Sequence, residues 1–301
     1  MSRTAAISKP AHVSITPQRM DFAFEDVPRH WFRNDPVLTH FLNALSLTFP
    51  DGERFFVDAV RAFRDQVTDK TRQAEISGFI GQEAMHSLEH DSFNHMLASQ
   101  GYREEAEGGQ KLARHLIKQG RERLSAKQQL AATAALEHIT AILANRLLKD
   151  PALLASMHPS VRALWIWHAI EEIEHKAVAF DLYQDVVGSY RMRVRTLLAA
   201  TLALGTYTGK YTWAFLKKDR LHRRPLVLAR GMWRLFGING VLTRTIPDFL
   251  TFLRPDFHPW QEDNSALIAE WRAILAAQEQ AQSSHQDSVP EVPLPTAQGQ
   301  H

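Results

Sequence analysis

The sequence contains no cysteine among its 301 residues. Disulfide bonds and thiolate metal ligands are therefore both excluded, and any bound metal must be held by oxygen and nitrogen atoms. Histidine, by contrast, occurs 15 times, so imidazole is an available ligand. A hydrophobic content of 45% with 23% charged residues is typical of a globular protein that can form a sizeable core.

A continuous apolar run is also missing from the N-terminus, which reads MSRTAAISKPAHVSITPQRM. Secretory signals need such a run, so we expect a cytoplasmic protein. A basic segment in the C-terminal half adds membrane association to this expectation.

Alternating runs typical of β-strands are absent, and apolar residues instead recur three and four positions apart. This spacing predicts an all-α fold. We expect a flexible N-terminal arm over 1–20, a helical bundle over 21–189, basic and apolar helices over 190–281 packed on it, and a disordered tail over 282–301.

Four long helices are predicted within the bundle, and Pro and Gly residues mark their ends. Their approximate ranges are 36–67, 70–99, 126–149 and 159–187, and we expect the first to bend or restart near Pro50-Asp51-Gly52. The third is preceded by Ser125, a good N-cap residue, and is followed by Asp150-Pro151, which should end it.

A carboxylate interrupts the apolar stripe of each of these four helices. The four acids are Glu53, Glu83, Glu137 and Glu172. Residues three and four positions apart share a helical face, so each acid should lie on the buried side. In two of the helices a histidine follows three residues later, at His86 and His175.

Burying an unpaired carboxylate costs several kcal/mol in practice, so four of them require compensation. A shared pair of metal ions is the simplest compensation. Two helices that each supply one Glu, with two that supply Glu-x-x-His, form the ligand pattern of ferritin-like di-iron and di-manganese bundles. Oxygen and nitrogen ligands suit iron or manganese best, and zinc less specifically.

Short stretches of the sequence resemble known families. With His168, one turn before Glu172, the fourth helix carries the motif H-x-x-x-E-x-x-H, which resembles that of the p-aminobenzoate N-oxygenases. The stretches FPDGERFF, FIGQEAMHSLEH and WHAIEEIEHKAVAFDLY resemble a bacterial family called predicted metal-dependent hydrolases. The resemblance implies a ferritin-like four-helix bundle with additional C-terminal helices.

Carried onto this sequence, the resemblance implies seven ligands for two metal ions. They are Glu53, Glu83, His86, Glu137, His168, Glu172 and His175. Gln82 and Glu171 occupy the positions where di-iron oxygenases often have an Asp that supports a ligand histidine of the opposite pair. We expect His90 to be a supporting or core histidine, and Glu174 and Lys176 to lie on a solvated face.

Three functions fit this site. The first is an enzyme that uses two metal ions, expected to be iron, and O₂ to oxidise or oxygenate a small organic substrate. An electron donor would supply its reducing electrons. The second is a two-metal hydrolase of an ester or phosphate, in which manganese or zinc would also serve. The third is a non-catalytic metal-binding helical protein. No catalytic residue separate from the ligands is predicted.

The region Gly188–Thr245 contains twelve Lys or Arg and one Asp. Within it, 197–216 is mostly apolar and has cations on both sides, which leaves three alternatives open. The segment packs on the bundle, spans a membrane, or belongs to a peripheral membrane contact formed by 190–224. Nucleic-acid binding is not expected, because no groove-reading motif accompanies the charges.

Overall fold

The computed structural model describes residues 7–286, and side chains over 7–277. Within these residues the chain is helical without a β-strand, which confirms the all-α prediction. The helices are α1 (Pro36–Ser46), α2 (Phe49–Arg61), α3 (Lys70–Leu97), α4 (Arg103–Arg123), α5 (Ala126–Leu148), α6 (Pro151–Ala155), α7 (Pro159–His175), α8 (Val178–Val186), α9 (Tyr190–Lys218), α10 (Pro225–Phe236), α11 (Ile246–Thr251) and α12 (Ser265–Gln286).

The centre of the molecule is a bundle of α2, α3, α5 and α7. Helix α2 packs along α3, α5 packs along α7 and α8, and the two pairs meet through contacts of α2 with α5 and of α3 with α7. Apolar side chains close the bundle at both ends, among them Phe79 and Leu130 at one end and Leu164 at the other. The carboxylates and histidines that interrupt the apolar stripes lie between these apolar layers.

Two of the predicted long helices are each divided into two. The first, predicted over 36–67, breaks between α1 and α2 at Leu47 and Thr48. Pro50 explains this break, because it has no N–H to donate to the carbonyl of Ser46 and its ring would clash there. The fourth, predicted over 159–187, breaks at Lys176 and Ala177, although its apolar stripe continues into α8.

The N-terminal segment lies against α3. A buried carboxylate, Glu89, accepts backbone N–H groups from Met20, Asp21 and Phe22 at 3.1, 2.7 and 3.1 Å. Gly81 allows the close approach, because a Cβ there would lie 2.2 Å from Pro17 Cγ. The described part of the predicted arm is therefore extended chain that packs on the bundle, while 1–6 lie outside the described residues.

The C-terminal helices also pack on the bundle. Helix α9 lies against α1 and α5, α10 against α1, and α12 against α7. In the described part of the chain no helix combines the length and the hydropathy that crossing a bilayer requires. This holds for 197–216 in α9, where Thr, Gly and Lys210 dilute the hydropathy. Of the predicted tail, 282–286 continue α12, and 287–301 lie outside the described residues.

We predict that Glu89→Ala destabilises the protein by about 2–3 kcal/mol, because the segment loses its charged acceptor and three backbone donors lose their partner. Chemical denaturation followed by circular dichroism measures this change. The matched control is Glu107→Ala on the exposed face of α4, where a change within about 0.5 kcal/mol is expected. Equal stability of both variants would contradict the anchoring role of Glu89.

Candidate metal centre

All seven predicted ligands meet in the centre of the bundle. Helix α2 contributes one of them, α3 two, α5 one and α7 three, and each of these side chains is buried. Six of the seven fall into two groups whose ligand atoms all lie within 4.8 Å of one another: Glu53, His86 and His168, and Glu83, Glu172 and His175. The structure thus brings the residues together in two adjacent sets, as a dinuclear site requires, and their role as ligands stays a prediction.

Glu172 lies between the two sets. Its Oε1 is 3.1 Å from His168 Nε2 and 3.6 Å from His86 Nδ1, and its Oε2 is 3.8 Å from His175 Nε2. This position suits a carboxylate that bridges two ions. Glu137 Oε2 lies 3.2 Å from His175 Nε2, so the residue from α5 joins the second set.

Gln82 fixes the orientation of the His175 ring. The Gln82 side-chain amide donates to Glu174 at 2.9 Å, which leaves its Oε1 to accept from His175 Nδ1, also at 2.9 Å. The proton of a neutral His175 is therefore on Nδ1, and its Nε2 presents a lone pair to the carboxylates of Glu83 and Glu137.

His168 is oriented by a similar chain of hydrogen bonds. Ser46 donates to Asn94 at 2.8 Å, so its hydroxyl oxygen accepts from His90 Nδ1 at 2.9 Å. His90 Nε2 then accepts from His168 Nδ1 at 3.0 Å, and His168 Nε2 presents its lone pair to Glu172. His90 is thus a supporting histidine behind His168 in this geometry.

The seven candidate ligands together form what we call the cluster. The third histidine, His86, lies between Glu171 and the other six members. Its Nε2 is 3.2 Å from Glu171 Oε2 on the outer side, and its Nδ1 faces the cluster 3.9 Å from Glu83 Oε2. Gln82 and Glu171 therefore lie where the resemblance placed them, each behind a histidine of the opposite Glu-x-x-His pair.

The cluster has an excess of acceptors. Among the described residues, both carboxylate oxygens of Glu53, Glu83 and Glu137 and the Nε2 of His175 have no hydrogen-bond partner. Buried polar atoms in native proteins are nearly always satisfied, so unpaired atoms that converge on one point indicate a missing positive charge. Two cations coordinated by carboxylate and imidazole fit this donor set, and the lack of sulfur fits iron or manganese.

The pKa values indicate the same deficit of positive charge. Burial, followed by repulsion from neighbouring carboxylates, raises the pKa of Glu53 and of Glu83 well above the usual value. Burial raises the pKa of Glu137 to about 7. Burial alone would lower the pKa of His175, but the nearby carboxylates, Glu137 first and then Glu172 and Glu83, raise it well above the usual value.

Sequence reasoning missed the outermost part of the hydrogen-bond network around the candidate ligands. We predicted Glu174 on a solvated face, but it is 3% exposed and accepts two hydrogen bonds from Arg272 of α12, at 3.0 and 2.8 Å. Lys176 is also buried, and it donates to the carbonyl of Glu262 and to Asn264. Their partners lie more than 80 residues away, and no local pattern signals such contacts.

Two apolar cavities reach the cluster from the side of α1, α2 and α5. A small cavity of about 70 Å³ touches His168, and a larger one of about 520 Å³ touches Glu53. Phe49 lines both, and its ring lies 4.8 Å from that of His168. The larger cavity extends between α2, α4, α5 and α9, and its lining is mostly aliphatic and aromatic, with Arg195 among the polar exceptions.

The fold and the cluster define a helical protein with a candidate metal-binding core. Residues 16–263 match the model of a family described as predicted metal-dependent hydrolase, and the chain belongs to this family. No curated protein and no solved structure matches the chain significantly. Family membership supports metal dependence, and it leaves the identity and number of the ions undetermined.

We predict that Glu83→Ala and Glu172→Ala each remove at least one of two bound metal ions per chain, because both carboxylates contribute to the second set and Glu172 also faces the first. Elemental analysis by mass spectrometry of untagged protein measures the stoichiometry. Glu107→Ala is the control, and it should retain the full metal content. Unchanged metal content in both cluster variants would refute the site.

We also predict that Gln82→Leu weakens metal binding about 10- to 100-fold while keeping all seven ligands, because His175 loses the acceptor that fixes its tautomer. Competition with a chromophoric chelator measures the affinity. Gln73→Leu, at a partly buried position near the start of the same helix, is the control. Equal affinities for both variants would show that the Gln82 hydrogen bond does not orient a ligand.

Proposed function

We propose that this protein is a two-metal enzyme that oxidises a small apolar substrate with O₂. The observation that carries the proposal is the set of unpaired carboxylate oxygens and imidazole lone pairs that converge in the core. Four carboxylates with two Glu-x-x-His pairs form a donor set typical of oxygen-activating di-iron sites. Two bound iron ions would supply the electrons that O₂ chemistry requires, and an external donor would have to replace them after each turnover.

The protein's own groups keep this centre ordered and dry. Gln82 and His90 hold the rings of His175 and His168 with their lone pairs inward, so the ligands need no reorganisation when metal binds. All seven candidate ligands are at most 4% exposed, so bulk water is kept from the reacting atoms. A low-polarity enclosure of this kind protects reactive oxygen species from unproductive quenching.

The cavities support an apolar substrate. The larger one touches Glu53 at the cluster, and its walls are mostly aliphatic and aromatic side chains of α2, α4, α5 and α9. A substrate in this cavity would be positioned mainly by shape and by exclusion of water. Molecular oxygen is also small and apolar, so it could reach the cluster through the cavity beside His168.

Two-metal hydrolysis is the second candidate, and the family description is the observation that favours it. In that reaction two ions would lower the pKa of a bridging water that attacks an ester. A phosphate ester fits less well than an apolar carboxylic ester, because Arg195 is the one Lys or Arg among the residues that line the two cavities. The set of candidate metal ligands favours oxidation, and the family description favours hydrolysis.

One comparison decides between them. Protein reconstituted anaerobically with Fe²⁺ and exposed to O₂ and a reductant should consume O₂ at a rate that Glu137→Ala lowers by about tenfold or more. Protein loaded with Zn²⁺ or Mn²⁺ should cleave p-nitrophenyl esters of short and medium chain length no faster than the Glu137→Ala variant does. Ester cleavage that depends on Glu137, without O₂ consumption, would establish the hydrolase and overturn the oxidation proposal.

A further inference from the structure

Helix α10 has an uncovered apolar face. The exposed fraction is 84% for Leu226 and 65% for Trp233, and 79% for Ile238 in the turn that follows. Met232 and Phe236 are also exposed. Single exposed apolar side chains are common on proteins, but large ones clustered on one short helix mark an interaction surface.

The spacing of these residues places them together on one side of the helix. In steps of three and four, Leu226, Ala229, Trp233 and Phe236 fall within about half of the helix circumference. We define the α10 face as these four residues with Pro225, Met232 and Ile238. These residues face outward, and the charged Arg230 lies at the edge of the face, next to Leu226 on the helix surface.

The opposite side of α10 is already occupied by the protein itself. Gly231 lies directly on α1, where a Cβ would be 2.3 Å from the Cβ of Val37. Leu235 is buried in the main core, and Arg234 pairs with Asp35 at the start of α1. Helix α10 is therefore fixed in orientation, and its outward face has no remaining partner among the described residues.

The surroundings of the α10 face are strongly basic. The segment 220–247 contains six arginines and no Asp or Glu. Arg223 and Arg224 precede the helix and Arg230 lies on it, and all three are exposed. An apolar helix face with Trp, Leu and Phe, bordered by Arg, matches the surface of a lipid bilayer, where the rings enter the acyl boundary and the cations meet anionic headgroups.

We propose that the α10 face docks this protein on the surface of an anionic lipid membrane. The contact is peripheral and involves 223–238, further along the chain than the 190–224 expected from the sequence. A second copy of this chain fits the face less well. Pairing it with itself would bring two sets of unneutralised arginines together across a two-fold axis. The proposal does not depend on the reaction at the metal cluster.

Vesicle co-sedimentation tests this proposal with the full-length metal-loaded protein. We expect binding to vesicles of phosphatidylcholine with phosphatidylglycerol, and weak binding to phosphatidylcholine alone. The pair Leu226→Ser and Trp233→Ser should weaken binding by about tenfold or more, because both side chains lose their apolar burial. The pair Arg223→Gln and Arg224→Gln should weaken it severalfold and reduce its dependence on salt.

Leu202→Ser is the matched control, since Leu202 is a leucine on α9 that is 73% exposed, against 84% for Leu226, and this variant should bind vesicles like the unchanged protein. All substituted side chains are exposed, so circular dichroism and metal content should not change. Absence of binding to anionic vesicles, or equal binding by all variants, would overturn the proposal. So would a dimer in sedimentation velocity that Trp233→Ser dissolves, without vesicle binding, because the α10 face would then be an interface between copies.

Discussion

The burial of seven titratable side chains at one point in a helical core is the constraint on which the rest of this structure depends. In this low-dielectric interior, burial raises the pKa values of Glu53, Glu83 and Glu137 above the usual value. Glu172 is the exception, because hydrogen bonds from His168 and His175 outweigh its burial and lower its pKa. Hydrogen bonding within the protein does not satisfy the first three carboxylates. Cations compensate such a cluster directly, because each cation neutralises charge and also orders several ligands at once.

The network behind the ligands connects this centre to distant parts of the chain. One branch runs from His175 through Gln82 and Glu174 to Arg272 of α12. The other runs from His168 through His90 to Ser46 at the end of α1. Helices outside the four-helix core therefore contribute to the site, because they hold the groups that orient its imidazole rings.

The reaction and the location of the protein are separate questions in this molecule. The proposed reaction concerns the cluster and its apolar cavities within the bundle, and the proposed membrane contact concerns the α10 face, on the outside of a helix that packs on α1. A protein with an apolar substrate gains from proximity to a membrane, where such molecules concentrate. Either proposal can still stand without the other.

The sequence by itself determined the helices of the bundle and the polar stripe on each. Both depend on spacings of three and four residues, which are local. The positions of Gln82 and Glu171 behind the opposite histidines were expected only from the resemblance to di-iron oxygenases. The break near Pro50 is local, as those spacings are, whereas the burial of Glu174 against Arg272 and the exposure of the α10 face were decided by the tertiary structure. Apolar residues occur on both sides of α10, and only packing against Val37 decides which side is covered.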